Sequence, residues 1–111
     1  MTGVFVVLST APDAEARALA DALLEERLVA CVNIVGGVRS RYVWKGSIEE
    51  ASEALLVMKT SADRLPALRA RLVALHSYEV PECLAFEVGD GHAPYLAWVL
   101  HSCRGSPPPS P

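Results

Sequence analysis

The sequence predicts a single α+β domain, and three observations carry that expectation. Strand-like apolar runs alternate with helical spacing in the order β-α-β-β-α-β. One long ribbon of strand-forming residues doubles back on itself at Gly46-Ser47. A last apolar helical stretch then runs to Cys103. That order is the split βαβ, or ferredoxin-like, sandwich, extended here by a long projecting β-hairpin and a C-terminal helix.

Gly3 to Ser9 (GVFVVLS) is nearly all apolar, as suits a buried central strand. Thr10 is placed to cap the next helix, with Pro12 in its first turn. Ala16, Leu19, Ala20, Leu23, Leu24 and Leu28 repeat at helical spacing, so the helix is expected from Pro12 to about Arg27. Leu28 to Val35 reads as the second strand, and Gly36-Gly37 as a bulge or bend before it resumes from Val38 to Lys45. Ile48 to Lys59 is the returning arm, ending in the apolar Leu55 to Met58. A second helix is expected from Ser61, with Leu65, Leu68, Leu72 and Leu75 as its stripe and Pro66 in its first turn. Glu82 to Val88 is a short fourth strand, and Ala93 to Cys103 the last helix. Residues 1–103 then form the one domain, and Arg104 to Pro111 (RGSPPPSP) is expected to be disordered. The first strand and the returning arm should be central, with helices on one face. The strands are apolar on both sides, so the second face also needs a cover.

The ribbon from Ala30 to Thr60 governs the rest. With glycine first in a two-residue loop at Gly46-Ser47, a type II′ turn sets Trp44 opposite Glu49 and Val43 opposite Glu50. Arg41 and Lys45 are then diagonal neighbours of Glu50. An arm of about twelve residues spans about 40 Å, against a radius of gyration of about 13 Å for a compact domain this size. The tip, carrying Tyr42, Val43 and Trp44, should therefore project beyond its own core. An exposed ribbon edge with aromatic side chains points to a contact with further copies of the chain. The alternative is that the arms bend back at Gly36-Gly37 onto their own domain.

The chain has 111 residues, 51% of them hydrophobic, enough for one real core. Its net charge of -3 argues against nucleic acid as the main partner. No apolar run is long enough to span a membrane, and Gly3 to Leu8 is too short for a signal-peptide core. Three scattered cysteines do not suggest a disulfide framework, so a cytoplasmic location is expected.

No nucleophile motif, phosphate loop or dinucleotide fingerprint is present, so an enzyme is not expected. Cys31, Cys83, Cys103, His76, His92 and His101 are the soft or imidazole metal donors, and none sits at a metal-site spacing. His101 and Cys103 do not share a helix face, and buried cysteines are commonly small hydrophobes. His76 leaves a helix into a loop with Tyr78 and Glu79; it reads equally as an oriented ligand or as a helix-terminal histidine favoured by the dipole. Lys59 ends an apolar run, where its charge must pair, snorkel or face a cleft. Tyr95 and Trp98 share a helix face and read as packing residues.

Six stretches carry a family resemblance: STAPD (Ser9 to Asp13), ERLVACVNIV (Glu26 to Val35), SRYVWKGSIEE (Ser40 to Glu50), LLVMKTS (Leu55 to Ser61), LHSYEVPE (Leu75 to Glu82) and YLAWV (Tyr95 to Val99). The chain resembles the CutA family, the divalent-cation tolerance proteins. The resemblance implies a compact homotrimer joined through the long hairpins, an architecture like that of the PII signalling proteins, high thermal stability, and copper or other divalent ions as ligands without catalytic activity. Residues matching the family's inter-subunit clefts are Cys31, Tyr42, Trp44, Glu50, Lys59, His76, Tyr78, Glu79, Tyr95 and Trp98. Some bacterial relatives are assigned a copper site of one strand cysteine and two adjacent histidines; the matching positions here are Ser9, Leu75 and His76, so only one donor is kept. Copper favours imidazole and thiolate. A site on this chain is therefore expected at His76, with Glu79 or Cys31 from a neighbouring copy assisting. The alternatives are a PII-like module taking a small anion through Lys59 and Arg41, and a structural trimer that scaffolds other proteins, with Lys59 and Glu50 paired.

Overall fold

The computed structural model describes residues 1–104. They form β1 (Val4–Pro12), α1 (Asp13–Glu25), β2 (Cys31–Trp44), β3 (Ser47–Ser61), α2 (Leu65–Leu75), β4 (Leu84–Glu87) and α3 (Ala93–Ser102). The strands make one antiparallel sheet in the order β2-β3-β1-β4, with β1 and β3 central as expected. The fold is the ferredoxin-like βαββαβ arrangement with an added C-terminal helix.

Alternation along the strands divides the sheet into two unlike faces. Val7 and Ala11 of β1 stand beside Met58 and Ala54 of β3, and Leu19, Leu23, Leu68 and Leu72 of the two helices pack on them. This is the core. The opposite face carries Val6, Leu8, Leu55 and Val57, and among the described residues no element closes over its rim: Val35 is 47% exposed, Leu84 51% and Phe86 55%. At one end α3 buries Val99 and Cys103, with the Cys103 Sγ 3.9 Å from the Thr60 Oγ1. Arg104 follows, its N–H donating to the His101 carbonyl at 3.1 Å. The expected disordered tail otherwise lies outside the described residues.

Two element starts differ from the expectation. Thr10 remains in β1, which pairs with β3 as far as Pro12, so Pro12 itself precedes α1 and no side chain caps the helix. Asp13 and Glu15 offset this by placing negative charge in the first turn. Ser61 likewise stays in β3 opposite Val4, and α2 begins only at Leu65.

The hairpin turn is also corrected. The chain reverses at Lys45-Gly46, not Gly46-Ser47, with φ of +51° and +83°. Two successive positive φ values define a type I′ turn, whose twist suits the flanking strands and which takes glycine second. Tyr42 therefore pairs with Glu49, Val43 with Ile48 and Trp44 with Ser47. The slip is two residues, so every side chain keeps its expected face. Arg41 moves from diagonal to directly opposite Glu50, and its Nη1 lies 2.9 Å from Oε1; Arg39 reaches the same oxygen at 3.4 Å. Lys45 instead lies over the Trp44 ring, 5.8 Å from its centre.

The glycine pair forms the expected bulge. Val35 pairs with Leu55, but Val38 with Glu53, so β2 holds one extra residue, with Gly37 at φ +74°. The extra residue switches the parity of the outer arm. Tyr42 and Trp44 thereby join Cys31, Asn33 and Val35 on the open face. The long axis measures 49 Å against 31 and 23 Å, and the radius of gyration is 14.9 Å, as a projecting ribbon requires.

Candidate functional site

The loop after α2 builds the site against the free edge of β1. β4 pairs with β1 only as far as Leu8 opposite Leu84, leaving the rest of that edge without a strand. His76 occupies the gap. Its protonated Nε2 donates to the Thr10 carbonyl at 2.7 Å, and Nδ1 accepts the Tyr78 N–H at 3.1 Å. The two contacts fix the tautomer and tie the loop to the sheet. The His76 and Tyr78 rings stack at a tilt, centres 4.6 Å apart.

Tyr78 then reaches over the edge onto the open face. Its phenol donates to the Glu53 Oε2 at 2.6 Å. Burial, then this hydrogen bond and the Glu53 charge, raise the Tyr78 pKa well above that of a free phenol. Glu53 is only 6% exposed. Between the loop and the hairpin lies a groove of about 760 Å³, walled by Tyr42, Trp44 and Tyr78 and bordered by Glu53, Glu79 and Glu82.

The other expected residues fall elsewhere. Lys59 pairs with Cys31 at the far end of the open face, and its Nζ donates to the Asn33 Oδ1. The Cys31 Sγ is 4.0 Å from the same oxygen. Tyr95 and Trp98 have ring centres 5.7 Å apart on the exposed side of α3; burial raises the Tyr95 pKa, and Cys31 is near enough to add to it. Arg41 and Glu50 pair on the helix-bearing face. Glu50 and Lys59 are nine residues apart on β3, about 30 Å, so they do not pair within one chain. Lys59 and Arg41 are separated likewise. Glu53 was not singled out from the sequence, though a carboxylate opening an apolar strand run is a visible anomaly.

Within one chain this donor set does not fit a divalent ion. Among the described residues no three His, Cys, Asp or Glu side chains gather closely enough to hold a metal. Both His76 nitrogens are already engaged, and Cys31 lies four residues along the sheet from the level of Thr10, about 13 Å. The donors of a single chain do not form a metal centre.

The fold and its hairpin-bound groove define a PII-like, ferredoxin-type module. Residues 5–102 match the CutA1 divalent ion tolerance protein family. A divalent-cation tolerance protein CutA of Thermus thermophilus is 50% identical over 95 residues, covering 85% of this chain and 92% of the relative. Human protein CutA is 46% identical over 84 residues, covering 76% of this chain but 47% of that protein. The chain thus spans nearly all of the bacterial relative and about half of the animal one. Among solved structures, CutA of Xylella fastidiosa superimposes with a TM-score of 0.89 at 39% identity, covering 92% of this chain and 99% of the other. A PII-like protein CutA of Nostoc gives 0.86 at 33% identity, covering 90% and 97%. The chain belongs to the CutA1 divalent ion tolerance family, a non-enzymatic one.

Proposed function

We propose that the chain is one subunit of a homotrimeric divalent-cation tolerance protein that holds its ions, copper foremost, between subunits. The uncovered apolar sheet face carries this reading. Val35, Leu84 and Phe86, each about half exposed beside Val6, Leu8, Leu55 and Val57, form a contiguous surface of the kind that association buries. The projecting hairpin supports it, because a ribbon that overreaches its own core gains apolar burial from a second copy.

The ion is cargo, and its donors come from more than one copy. Cys31 from one chain with His76 and Glu79 from another would supply thiolate, imidazole and carboxylate, a set suited to copper. His76 offers Nδ1 only on releasing the Tyr78 N–H. Three unpaired thiols suit a reducing cytoplasm. One relative, from rice, is named as chloroplastic and another, from Archaeoglobus fulgidus, as periplasmic, so the family is not tied to one compartment. Calorimetric titration of the assembled protein with Cu²⁺ tests the donors. Cys31→Ser and His76→Ala should each weaken binding by at least about tenfold. Unchanged affinity in both would remove these residues from the site.

The anion reading gains less support. The Arg41 guanidinium is held by Glu50, and Lys59 already donates to Asn33. Their separation along the ribbon prevents one ligand from meeting both within a chain.

A further inference from the structure

We propose that the open sheet face docks a second copy of this chain end to end, so that Lys59 of the partner subunit supplies the counter-charge of Glu53. The proposal rests on the assembly proposed above and not on the bound ion.

Glu53 lacks a cation within its own chain. It is 6% exposed, and a carboxylate so placed is costly unless a cation or several donors meet it. Among the described residues its one hydrogen bond is the Tyr78 phenol, and no Lys, Arg or His is paired with it.

Lys59 has the reciprocal deficiency. It is half-buried at the far end of the same face, and among the described residues its partner is the neutral Asn33. Strand alternation places Glu53, Leu55, Val57 and Lys59 of β3 on that face, beside Val6 and Leu8 of β1 and Cys31, Asn33 and Val35 of β2. Lys59 is the single base that the strands put there. Arg39 and Arg41 lie on the other face and hold Glu50, and Lys45 sits in the turn over Trp44. Six residues of β3 separate Lys59 from Glu53, about 20 Å, far beyond the reach of either side chain.

The face is therefore polar in the sense of a bar magnet: one base at one end, a buried acid at the other, apolar residues between. Such a surface is complementary to its own copy when unlike ends meet. In a closed ring of head-to-tail contacts every copy gives one Lys59 and receives one at Glu53, so no charge is left over. That exact match in number favours a second copy over a soluble cation, which would leave Lys59 unmatched. Tyr42 and Trp44 border the place where the ammonium would arrive, and their ring faces suit a cation.

The test is sedimentation equilibrium in urea sufficient to dissociate part of the wild-type assembly, with Glu53→Gln, Lys59→Met and the double variant. Each single change should raise the concentration of half-assembly at least about tenfold, since either one leaves a charge buried alone. The double variant should fall within about threefold of the worse single one. Unchanged association in either single variant, or a double effect equal to the product of the two, overturns the pairing. If Glu53→Gln does not fold, carbodiimide coupling decides on wild-type protein reassembled from heavy-nitrogen-labelled and unlabelled chains. We expect an amide joining Glu53 of one label to Lys59 of the other. Lys59 coupled only to other carboxylates, or not coupled, overturns the proposal. Assembly of the wild-type protein is read separately, so a trimer without this pair refutes the inference and leaves the proposed function standing, whereas a single-chain particle refutes both.

Discussion

Tyr78→Phe isolates the hydrogen bond on which the groove depends. The substitution keeps the ring that stacks on His76 at 4.6 Å and removes only the hydroxyl that donates to Glu53 at 2.6 Å. A hydrogen bond to a charged acceptor contributes about 1.5–3 kcal/mol, and removing the donor leaves a buried carboxylate poorly solvated. Tyr78 is itself half-buried, so water recovers part of the loss, and we expect destabilisation of about 2 kcal/mol at neutral pH. Urea unfolding at one fixed protein concentration measures it, because any association links stability to concentration. The Tyr78→Phe and Glu53→Gln double-mutant cycle should show coupling of about 1 kcal/mol or more. A cost below about 0.5 kcal/mol with no coupling would mean the phenol and carboxylate do not interact in solution, and the buried-charge reasoning would fall.

Three further outcomes follow from the same geometry. The Tyr78 pKa is raised above its ordinary value of 10.0, so its contribution to stability is whole below pH 10.0 and is lost as pH rises toward the folded value. Stability should therefore decline above pH 10.0, less steeply in Tyr78→Phe, with Tyr95 supplying a residual slope of the same sign. Lys45→Asn places a better residue at φ +51° but gives up the contact with Trp44, for a net gain of about 0.5 kcal/mol in urea unfolding. Glu50→Gln should cost less than about 1 kcal/mol in the same assay, because the arginine pairs it breaks are exposed.

Most of the frame was legible because it rests on periodicity. The apolar run of β1, the stripe of α1 and the glycine bulge each follow from local pattern, and the strand order follows from their succession. The turn was misplaced because Gly46 satisfies either of two hairpin geometries. Only the φ of Lys45 separates them, and lysine gives no hint that it will adopt a positive value. The start of α2 slipped because Ser61 has a partner in Val4, a long-range pairing that outweighs its capping propensity. The site was harder to read for a related reason. His76 and Tyr78 stood out by their place after a helix. Glu53 did not, because its importance depends on a burial that the loop, twenty-five residues further on, imposes. Cys31 and Lys59 were both noticed, but no local pattern tells that they sit far from His76 in one chain.

The open sheet face decides the rest, and sedimentation equilibrium at micromolar concentration tests it most directly. We expect a particle three times the 11.9 kDa chain mass, reduced to a single chain by Phe86→Asp on that face. A wild-type protein that sediments as one 11.9 kDa chain would contradict it.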